Sequence, residues 1–312
     1  MKNMREVFVS SFEKLLAADK RVVVLDADLA KASGTIALRG KYPKQCFDVG
    51  VAEQNMASVA AGLASYGFKP YITTFTPFAT RRICDQVAIS MLYAKQNVKI
   101  IGTDPGITAE LNGGTHMSVE DIGVVRSIPE IVIFEPADGA QLKMAMPQIN
   151  DYEGCVYIRL YRKDAPDVYA DDCEFDLFSA NVIKKGCDVS IFASGIMVAP
   201  SLEAAENLAK QGIAAEVVDV HTIKPIDGKT IAASAQKTGC AVTAENHNVV
   251  GGLGSAVLEA LAQNPVPLFS VGIPDRFGEV GKMPYLKGIL GMNVSDIEAA
   301  AKSAVAAKKK SK

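Results

Sequence analysis

The chain of 312 residues has no tryptophan, only three histidines and almost no net charge, with 33 lysines and arginines against 35 acidic residues. A balance so close to neutral provides no broad positive surface for a nucleic-acid backbone. No apolar run approaches the roughly 20 residues of a membrane span, and the amino-terminal stretch is interrupted by Glu13 and Lys14. We therefore expect neither nucleic acid nor a membrane as a partner, and we expect no export.

The six cysteines are scattered, without a Cys-x-x-Cys pair or a spacing typical of metal ligands; they stand at positions 46, 84, 155, 173, 187 and 240. This distribution indicates neither a zinc site nor a disulfide framework. A reducing, cytoplasmic compartment is the location we expect. Hydrophobic residues form 49% of the chain and charged residues 22%, which is typical of a globular protein with an ample core.

Short β-branched runs alternate with longer helical patterns, which predicts an α/β protein built on doubly wound parallel sheets. The polar stretch 162–172 carries Pro166 and lacks periodicity, so it predicts a linker. We expect one domain at 1–165, a linker at 166–180 and a smaller domain at 181–312. Predicted strands lie at 22–25, 98–101, 131–134, 155–158, 189–192, 215–218, 241–244 and 268–271, and predicted helices near 3–18, 51–65, 78–93, 119–127, 138–149, 198–211, 228–237, 252–263 and 295–307.

Glu53 stands among small and apolar residues in the segment 48–56, where a strongly helical stretch begins. An apolar surround disfavours the charged form of a carboxylate, so Glu53 is a candidate general acid for chemistry on a heterocyclic cofactor. A second interpretation stays open, because a glutamate at a helix start also complements the helix dipole or completes a cap.

Phe75 and Phe78 fall where a strand ends and a helix begins, in the segment 70–82. Open α/β sheets bind ligands at the carboxyl edge of their strands, so these rings are candidates for stacking on a flat ligand, with a place in the core as the alternative. His116 lies in the turn-rich segment 103–118, which also follows a strand. It is a candidate for contacting a substrate, with a structural histidine as the alternative.

The glycine-rich segment 245–257 superficially resembles a dinucleotide-binding fingerprint. Val257 stands where the third glycine of that motif belongs, so the signal is weak. Tight packing of a helix on a sheet explains these glycines adequately.

Five segments of the chain together resemble transketolases, in the order found in that family, and the resemblance covers nearly the whole chain. They are Val49-Gly-Val-Ala-Glu-Gln-Asn-Met56, Tyr71-Ile-Thr-Thr-Phe75, Gly113-Gly-Thr-His116, Val218-Asp-Val-His-Thr-Ile-Lys-Pro225 and Glu245-Asn-His-Asn-Val-Val-Gly-Gly-Leu-Gly-Ser255. The match is to the carboxy-terminal part of a transketolase divided over two chains. It implies a pyrimidine-binding domain followed by the transketolase C-terminal domain.

The resemblance implies thiamine diphosphate as the cofactor and transfer of a two-carbon ketol unit from a ketose to an aldose as the reaction. Glu53 would protonate the ring nitrogen of the aminopyrimidine. Phe75 would stack on that ring with Phe78 beside it, and His116 would contact the sugar donor and take part in catalysis.

Other positions of the family's site also have counterparts. Asp28 matches an acidic residue close to the cofactor, and Arg5 and Arg162 match positions that hold sugar or phosphate groups. Asn112 stands where many transketolases have an aspartate in the substrate site, and Asp104 replaces a histidine that helps to hold the acceptor phosphate. We expect an acidic Asp104 to repel phosphate and to alter the acceptor preference.

The family's Gly-Asp-Gly motif for magnesium and the diphosphate is missing, because the similar string Ala137-Asp-Gly139 lacks the first glycine. We therefore predict no metal ligands in this chain and a partner amino-terminal subunit that carries the motif, in an α2β2 assembly. Two alternatives stay open: the β subunit of a 2-oxo acid dehydrogenase, which shares fold and cofactor, and a non-catalytic α/β scaffold.

Overall fold

The computed structural model describes residues 2–310. Its strands are β1 (Lys2–Asn3), β2 (Val22–Asp26), β3 (Cys46–Asp48), β4 (Lys69–Phe75), β5 (Lys99–Thr103), β6 (Val132–Phe134), β7 (Val156–Leu160), β8 (Asp164–Ala165), β9 (Asn181–Lys184), β10 (Val189–Ala193), β11 (Ala215–Asp219), β12 (Thr222–Lys224), β13 (Ala241–Asn248) and β14 (Leu268–Ile273).

The α-helices are α1 (Met4–Ala18), α2 (Ala30–Ser33), α3 (Ile36–Lys41), α4 (Glu53–Ser65), α5 (Thr76–Ala79), α6 (Asp121–Arg126), α7 (Gly139–Asp151), α8 (Val198–Ala209), α9 (Gly228–Thr238), α10 (Leu253–Ala260), α11 (Met283–Leu290) and α12 (Val294–Lys310). Shorter 3-10 turns cover Arg81–Ile83, Gly106–Asn112 and Gly195–Met197, and Gln86–Tyr93 is π-helical.

The first sheet has seven strands in the order β12-β6-β7-β5-β4-β2-β3. Its strands pair in parallel except β12, which runs antiparallel to β6. The central strands β2, β5 and β7 are buried along their whole length, because helices and loops cover both faces, as parallel sheets require. The carboxyl ends of β2, β4 and β5 therefore form one edge at which following loops converge.

The second sheet has five strands in the order β14-β13-β10-β11-β9, with β9 antiparallel and the others parallel. Buried aliphatic side chains from β10, β11 and β13 form its core together with α8 and α12. The predicted α/β class with parallel, doubly wound sheets is confirmed.

The short elements β3, β9, β12, α2 and α3 were not predicted, and three other parts of the fold also differ from the expectation. Within the predicted linker stretch 162–172, β8 pairs with β1 at the other end of the first domain. The predicted helix 78–93 is divided, because the backbone leaves helical geometry at Thr80, whose hydroxyl bonds the carbonyl of Thr76 at 2.8 Å. The helix α11 was not predicted, since Gly281, Gly288 and Gly291 obscure its pattern.

The six cysteines all lie within the described chain and are free thiols. In residues 2–310, no helix is both long and apolar enough to cross a membrane.

Candidate active site

Glu53 begins α4, directly after the loop that follows β3. Its side chain is buried, with 4% of the residue exposed. The N-cap of α4 is Ala52, which makes no side-chain capping bond, and Glu53 itself turns to Arg82, whose Nη1 donates to Oε1 at 3.0 Å. The expected apolar surround is therefore incomplete, because a guanidinium lies at the carboxylate. The Glu53 side chain makes no capping bond among the described residues, but it stands in the first turn of α4, where an acid complements the helix dipole.

Phe75, Phe78 and His116 form a triangle of three mutually tilted rings. The ring centroids are 6.2 Å apart for Phe75 and Phe78, 5.6 Å for Phe75 and His116, and 5.3 Å for Phe78 and His116. All three residues are half-buried, so they are neither core nor free surface. The end of β4 and the loop after β5 bring them together, as the position of both segments at one sheet edge predicts.

Arg82 joins Glu53 to this triangle. Its guanidinium carbon lies 3.8 Å from the centroid of the Phe78 ring, within cation–π distance, while its Nη1 holds Glu53. Sequence reasoning missed Arg82. The available signal was its spacing of four residues from Phe78, although the chain between them does not form one continuous helix.

On the other side of the triangle, Arg162 lies 5.1 Å from the Phe75 ring centroid and is paired with Asp104. Its Nε donates to Asp104 Oδ2 at 2.9 Å, Nη2 donates to the same oxygen, and Nη1 donates to the Ala32 carbonyl at 2.7 Å. Asp104 is 3% exposed. Arg162 compensates the charge of Asp104, so this carboxylate is not an unpaired charge, and its effect on the acceptor preference stays a prediction.

Arg5 is held next to Arg162 by the small sheet of β1 and β8. The backbone N–H of Arg5 donates to the Arg162 carbonyl at 3.2 Å. Its side chain packs on the segment after α2, where a Cβ at Gly34 would lie 3.1 Å from Arg5 Cγ. Arg5, Arg162 and Asp104 thus form one group, which reaches the aromatic triangle through Phe75.

The remaining two predicted residues make no described contact with this group. Asp28 is exposed at the carboxyl end of β2, with a positive φ of 59°, and its backbone N–H donates to Asp48 Oδ1 at 3.0 Å. Asn112 is exposed four residues before His116 in the same loop. Thr115 Oγ1 lies 2.9 Å from His116 Nδ1, so the preceding residue orients the imidazole.

Metal ligands are not found in the described part of the chain, where no group of three or more His, Cys, Asp or Glu side chains could hold an ion. Asp138 of the Ala-Asp-Gly string is 1% exposed and is occupied by backbone donors. It caps α7 by accepting from Gln141 N at 2.8 Å, and its other oxygen accepts from Val168 N and Tyr169 N at 2.7 and 2.8 Å.

A buried acid next to half-buried aromatic rings at the strand edge of an α/β sheet is an arrangement suited to a flat, basic heterocycle. Residues 1–167 match the model of the transketolase pyrimidine-binding domain, and residues 179–297 match that of the transketolase C-terminal domain. The chain belongs to the transketolase family, as its motifs predicted.

Two related proteins and one solved structure are similar over nearly the whole chain. The 6-deoxy-6-sulfo-D-fructose transketolase subunit SqwH of Clostridium sp. (strain MSTE9) is 52% identical, over 96% of this chain and 93% of that protein. One of the subunits of the apulose-4-phosphate transketolase of Phocaeicola vulgatus is 38% identical, over 87% of this chain and 88% of that protein. A solved structure described as a split gene transketolase, inactive beta4 tetramer, is 40% identical over 98% of this chain and 99% of that chain, with a TM-score of 0.90.

Proposed function

We propose that this chain is one subunit of a thiamine diphosphate-dependent transketolase and transfers a two-carbon ketol unit from a ketose to an aldose. The observation that carries the proposal is the group of Phe75, Phe78 and His116 at one sheet edge, linked to the buried Glu53 through Arg82, in a chain of this family. When bound, thiamine diphosphate supplies the carbanion chemistry of ketol transfer.

The residues present fit the pyrimidine end of that cofactor. Phe75 offers a half-buried aromatic face, and Glu53 offers a carboxyl group that can hold or donate a proton at a ring nitrogen. Arg82 binds Glu53 Oε1, so it orients the carboxylate. His116 is placed beside both phenylalanine rings, where it would contact the substrate.

The diphosphate and magnesium, in contrast, do not fit this chain, because Asp138 is fully engaged by backbone N–H groups and no cluster of metal ligands is found among residues 2–310. A partner subunit with a Gly-Asp-Gly motif would hold them, in an α2β2 enzyme. The description of the similar split-gene tetramer as inactive supports this requirement.

The Asp104–Arg162 pair bears on the choice of substrate. Arg162 donates through Nε and Nη2 to Asp104, so the pair as a whole carries little net charge. It therefore attracts an anionic substrate group only weakly. This arrangement favours substrates that do not need to bind a phosphate dianion here. A sugar with a singly charged sulfonate, as in the name of the relative that is 52% identical, is therefore a candidate donor.

The first experiment combines this chain with an amino-terminal transketolase subunit that has Gly-Asp-Gly, thiamine diphosphate and Mg²⁺. We expect ketol transfer to an aldose, faster from 6-deoxy-6-sulfo-D-fructose than from xylulose 5-phosphate, and none from this chain alone. Full activity of the isolated chain would contradict the partner requirement. Turnover of pyruvate with an electron acceptor, but not of ketoses, would instead favour the 2-oxo acid dehydrogenase alternative.

The second experiment tests Glu53 with the variant Glu53→Gln. A general acid contributes typically about 10²–10⁴-fold in rate, so we expect a loss of that size with thermal unfolding nearly unchanged. The matched control is Glu6→Gln, an exposed glutamate in the first turn of α1, which should keep full activity. A rate loss below tenfold in Glu53→Gln would support the scaffold alternative.

A further inference from the structure

The loop that carries Asn112 and His116 is closed at a narrow neck. It leaves β5 at Asp104 and returns before α6, and at its neck the Gly106 N–H donates to the Ser118 carbonyl at 2.8 Å. Between these points the chain makes 3-10 turns and includes the strained residue Glu110, with φ 47°. The position of His116 therefore depends on how the neck is fixed.

Asn246, from β13 of the second sheet, binds the neck from the other half of the molecule. Its Nδ2 donates to the Pro105 carbonyl at 2.9 Å, and its Oδ1 accepts from the Ile107 N–H at 2.9 Å. Asn246 is fully buried. One amide side chain thus satisfies both backbone groups that flank Gly106, which fixes the backbone direction at the start of the loop.

Gly106 shows how close this contact is. It has φ +53°, and a Cβ at this position would lie 2.2 Å from Asn246 Oδ1 and 2.4 Å from the Asn246 carbonyl oxygen. No side chain fits between the neck and β13, so glycine is required there.

Neighbouring groups hold Asn246 and the far end of the loop. The Asn246 carbonyl accepts from Arg159 Nη2 at 2.7 Å, and Arg159 is itself fully buried in β7. Two residues along β13, the Asn248 N–H donates to the Val119 carbonyl at 2.7 Å, next to Ser118. The second sheet therefore holds both ends of a loop that belongs to the first domain.

We propose that Asn246 is a positioning residue: through its two hydrogen bonds to the neck, the C-terminal domain sets the place of His116 beside Phe75 and Phe78. Asn246 reaches the substrate site only through the loop. The proposal rests on the function proposed above, in which His116 contacts the substrate. The proposal assigns a role to the segment Glu245-Asn-His-Asn248, which precedes the glycines that allow close packing of α10.

The test uses Asn246→Ala, which removes both bonds, and Asn246→Asp, which keeps the acceptor for Ile107 but loses the donor to Pro105. The matched control is Asn207→Ala, which removes an asparagine of the same domain that donates to Glu298 at 2.9 Å, away from the loop. Amide hydrogen exchange of the full chain is measured over 105–118, and kcat and KM are measured for the assembled enzyme.

We expect faster exchange over 105–118 in both Asn246 variants and unchanged exchange there in Asn207→Ala. A misplacement near 1 Å costs about 100-fold in rate, so kcat/KM for the ketose should fall by about that factor. The affinity for thiamine diphosphate should stay within about twofold of the original, because Glu53 and Phe75 lie outside the loop and no binding energy is removed.

Each readout has an outcome that would overturn the proposal. Unchanged exchange over 105–118 in a folded Asn246 variant would overturn it, and so would equal activity losses in Asn246→Ala and Asn207→Ala. If Asn246→Ala does not fold, Asn246→Asp supplies the same comparison. If the unmodified pair of subunits transfers no ketol unit, the proposed function fails, whereas the exchange data still decide whether Asn246 positions the loop.

Discussion

At the scale of single residues, His221 is a buried imidazole whose two ring nitrogens have uncharged partners, with Nδ1 3.1 Å from the Thr222 hydroxyl. It lies between the rings of Phe134 and Phe175, with centroid distances of 5.8 and 4.9 Å, and its Nε2 is 2.9 Å from the Ser179 carbonyl oxygen. Burial lowers the pKa of His221 to about 4. The unfolded chain, in which an imidazole has a pKa near 6.5, therefore binds this proton first as the pH falls.

We expect His221 to make the protein less stable as the pH falls from about 6.5 to about 4, since protons then favour the unfolded state. The upper bound is about 3 kcal/mol, from 1.36 kcal/mol per pKa unit. Urea unfolding of His221→Gln should show a shallower decline than the original chain over this range. The difference between their free energies of unfolding at pH 7.5 gives the part of the substitution's effect that does not depend on ionisation of His221. Parallel curves at all pH values would contradict the assignment.

The proximity of Phe75, Phe78 and His116 could be predicted from the sequence because their segments follow neighbouring strands, whereas Arg5, Asp28, Arg162 and Asn112 rest on the family resemblance alone. The end of β4 and the loop after β5 must lie at one sheet edge, so Phe75 and His116 come together. Arg82 and Asn246 could not be found in the same way. The position of Arg82 depends on a break in the helix at Thr80. Asn246 binds Ile107, which is 139 residues away along the chain, so no local pattern predicts the contact.

At the scale of secondary-structure elements, α9 depends on its N-cap. Asp227 accepts from the Thr230 N–H at 3.1 Å through Oδ1, and its Oδ2 accepts from the Ala180 N–H at 3.1 Å. The cap therefore also holds the chain entering β9. Burial alone would raise the pKa of Asp227, but hydrogen bonds from the Thr230 side chain and from backbone N–H groups lower it below its ordinary value.

We expect Asp227→Ala to lower the free energy of unfolding by about 1–2 kcal/mol, because the backbone N–H groups of Thr230 and Ala180 both lose their acceptor. The control is Lys282→Ala at the N-cap of α11, where the side chain makes no capping bond and is exposed. That change should be neutral within about 0.5 kcal/mol. Guanidinium unfolding measures both. Equal effects of the two substitutions would refute the capping role.

The main strands and helices could be predicted because their hydrophobic patterns extend over enough residues to be recognised. In contrast, β8 and β12 have two and three residues, which is too short to show a hydrophobic pattern. Their strand geometry comes from pairing with β1 and β6, which are distant in sequence. Since β12 follows β11 of the second sheet yet completes the first, the two sheets are connected more closely than a simple linker predicts.

At the scale of the whole molecule, a buried ionic network joins the two sheets. Arg159 on β7 donates through Nε to Asp121 Oδ2 at 2.6 Å and through Nη1 to Glu135 Oε1 at 2.6 Å. Glu135 also accepts from Ser194 Oγ of the second half at 2.8 Å. All the charged groups are almost completely buried, so each carboxylate depends on the one guanidinium for compensation.

We expect Arg159→Met to cost about 3–5 kcal/mol of unfolding free energy, because it leaves two carboxylates buried without a cation. Methionine fills much of the space, so the loss reports charge more than cavity formation. The control is Lys95→Ala, which breaks the exposed ion pair with Glu130 and should cost less than about 1 kcal/mol. A loss in Arg159→Met no larger than in the control would mean that the carboxylates do not need this cation. A large loss that Glu135→Gln partly restores in the double variant would identify the uncompensated charge as its cause, since neutralising one carboxylate reduces the deficit that Arg159→Met creates.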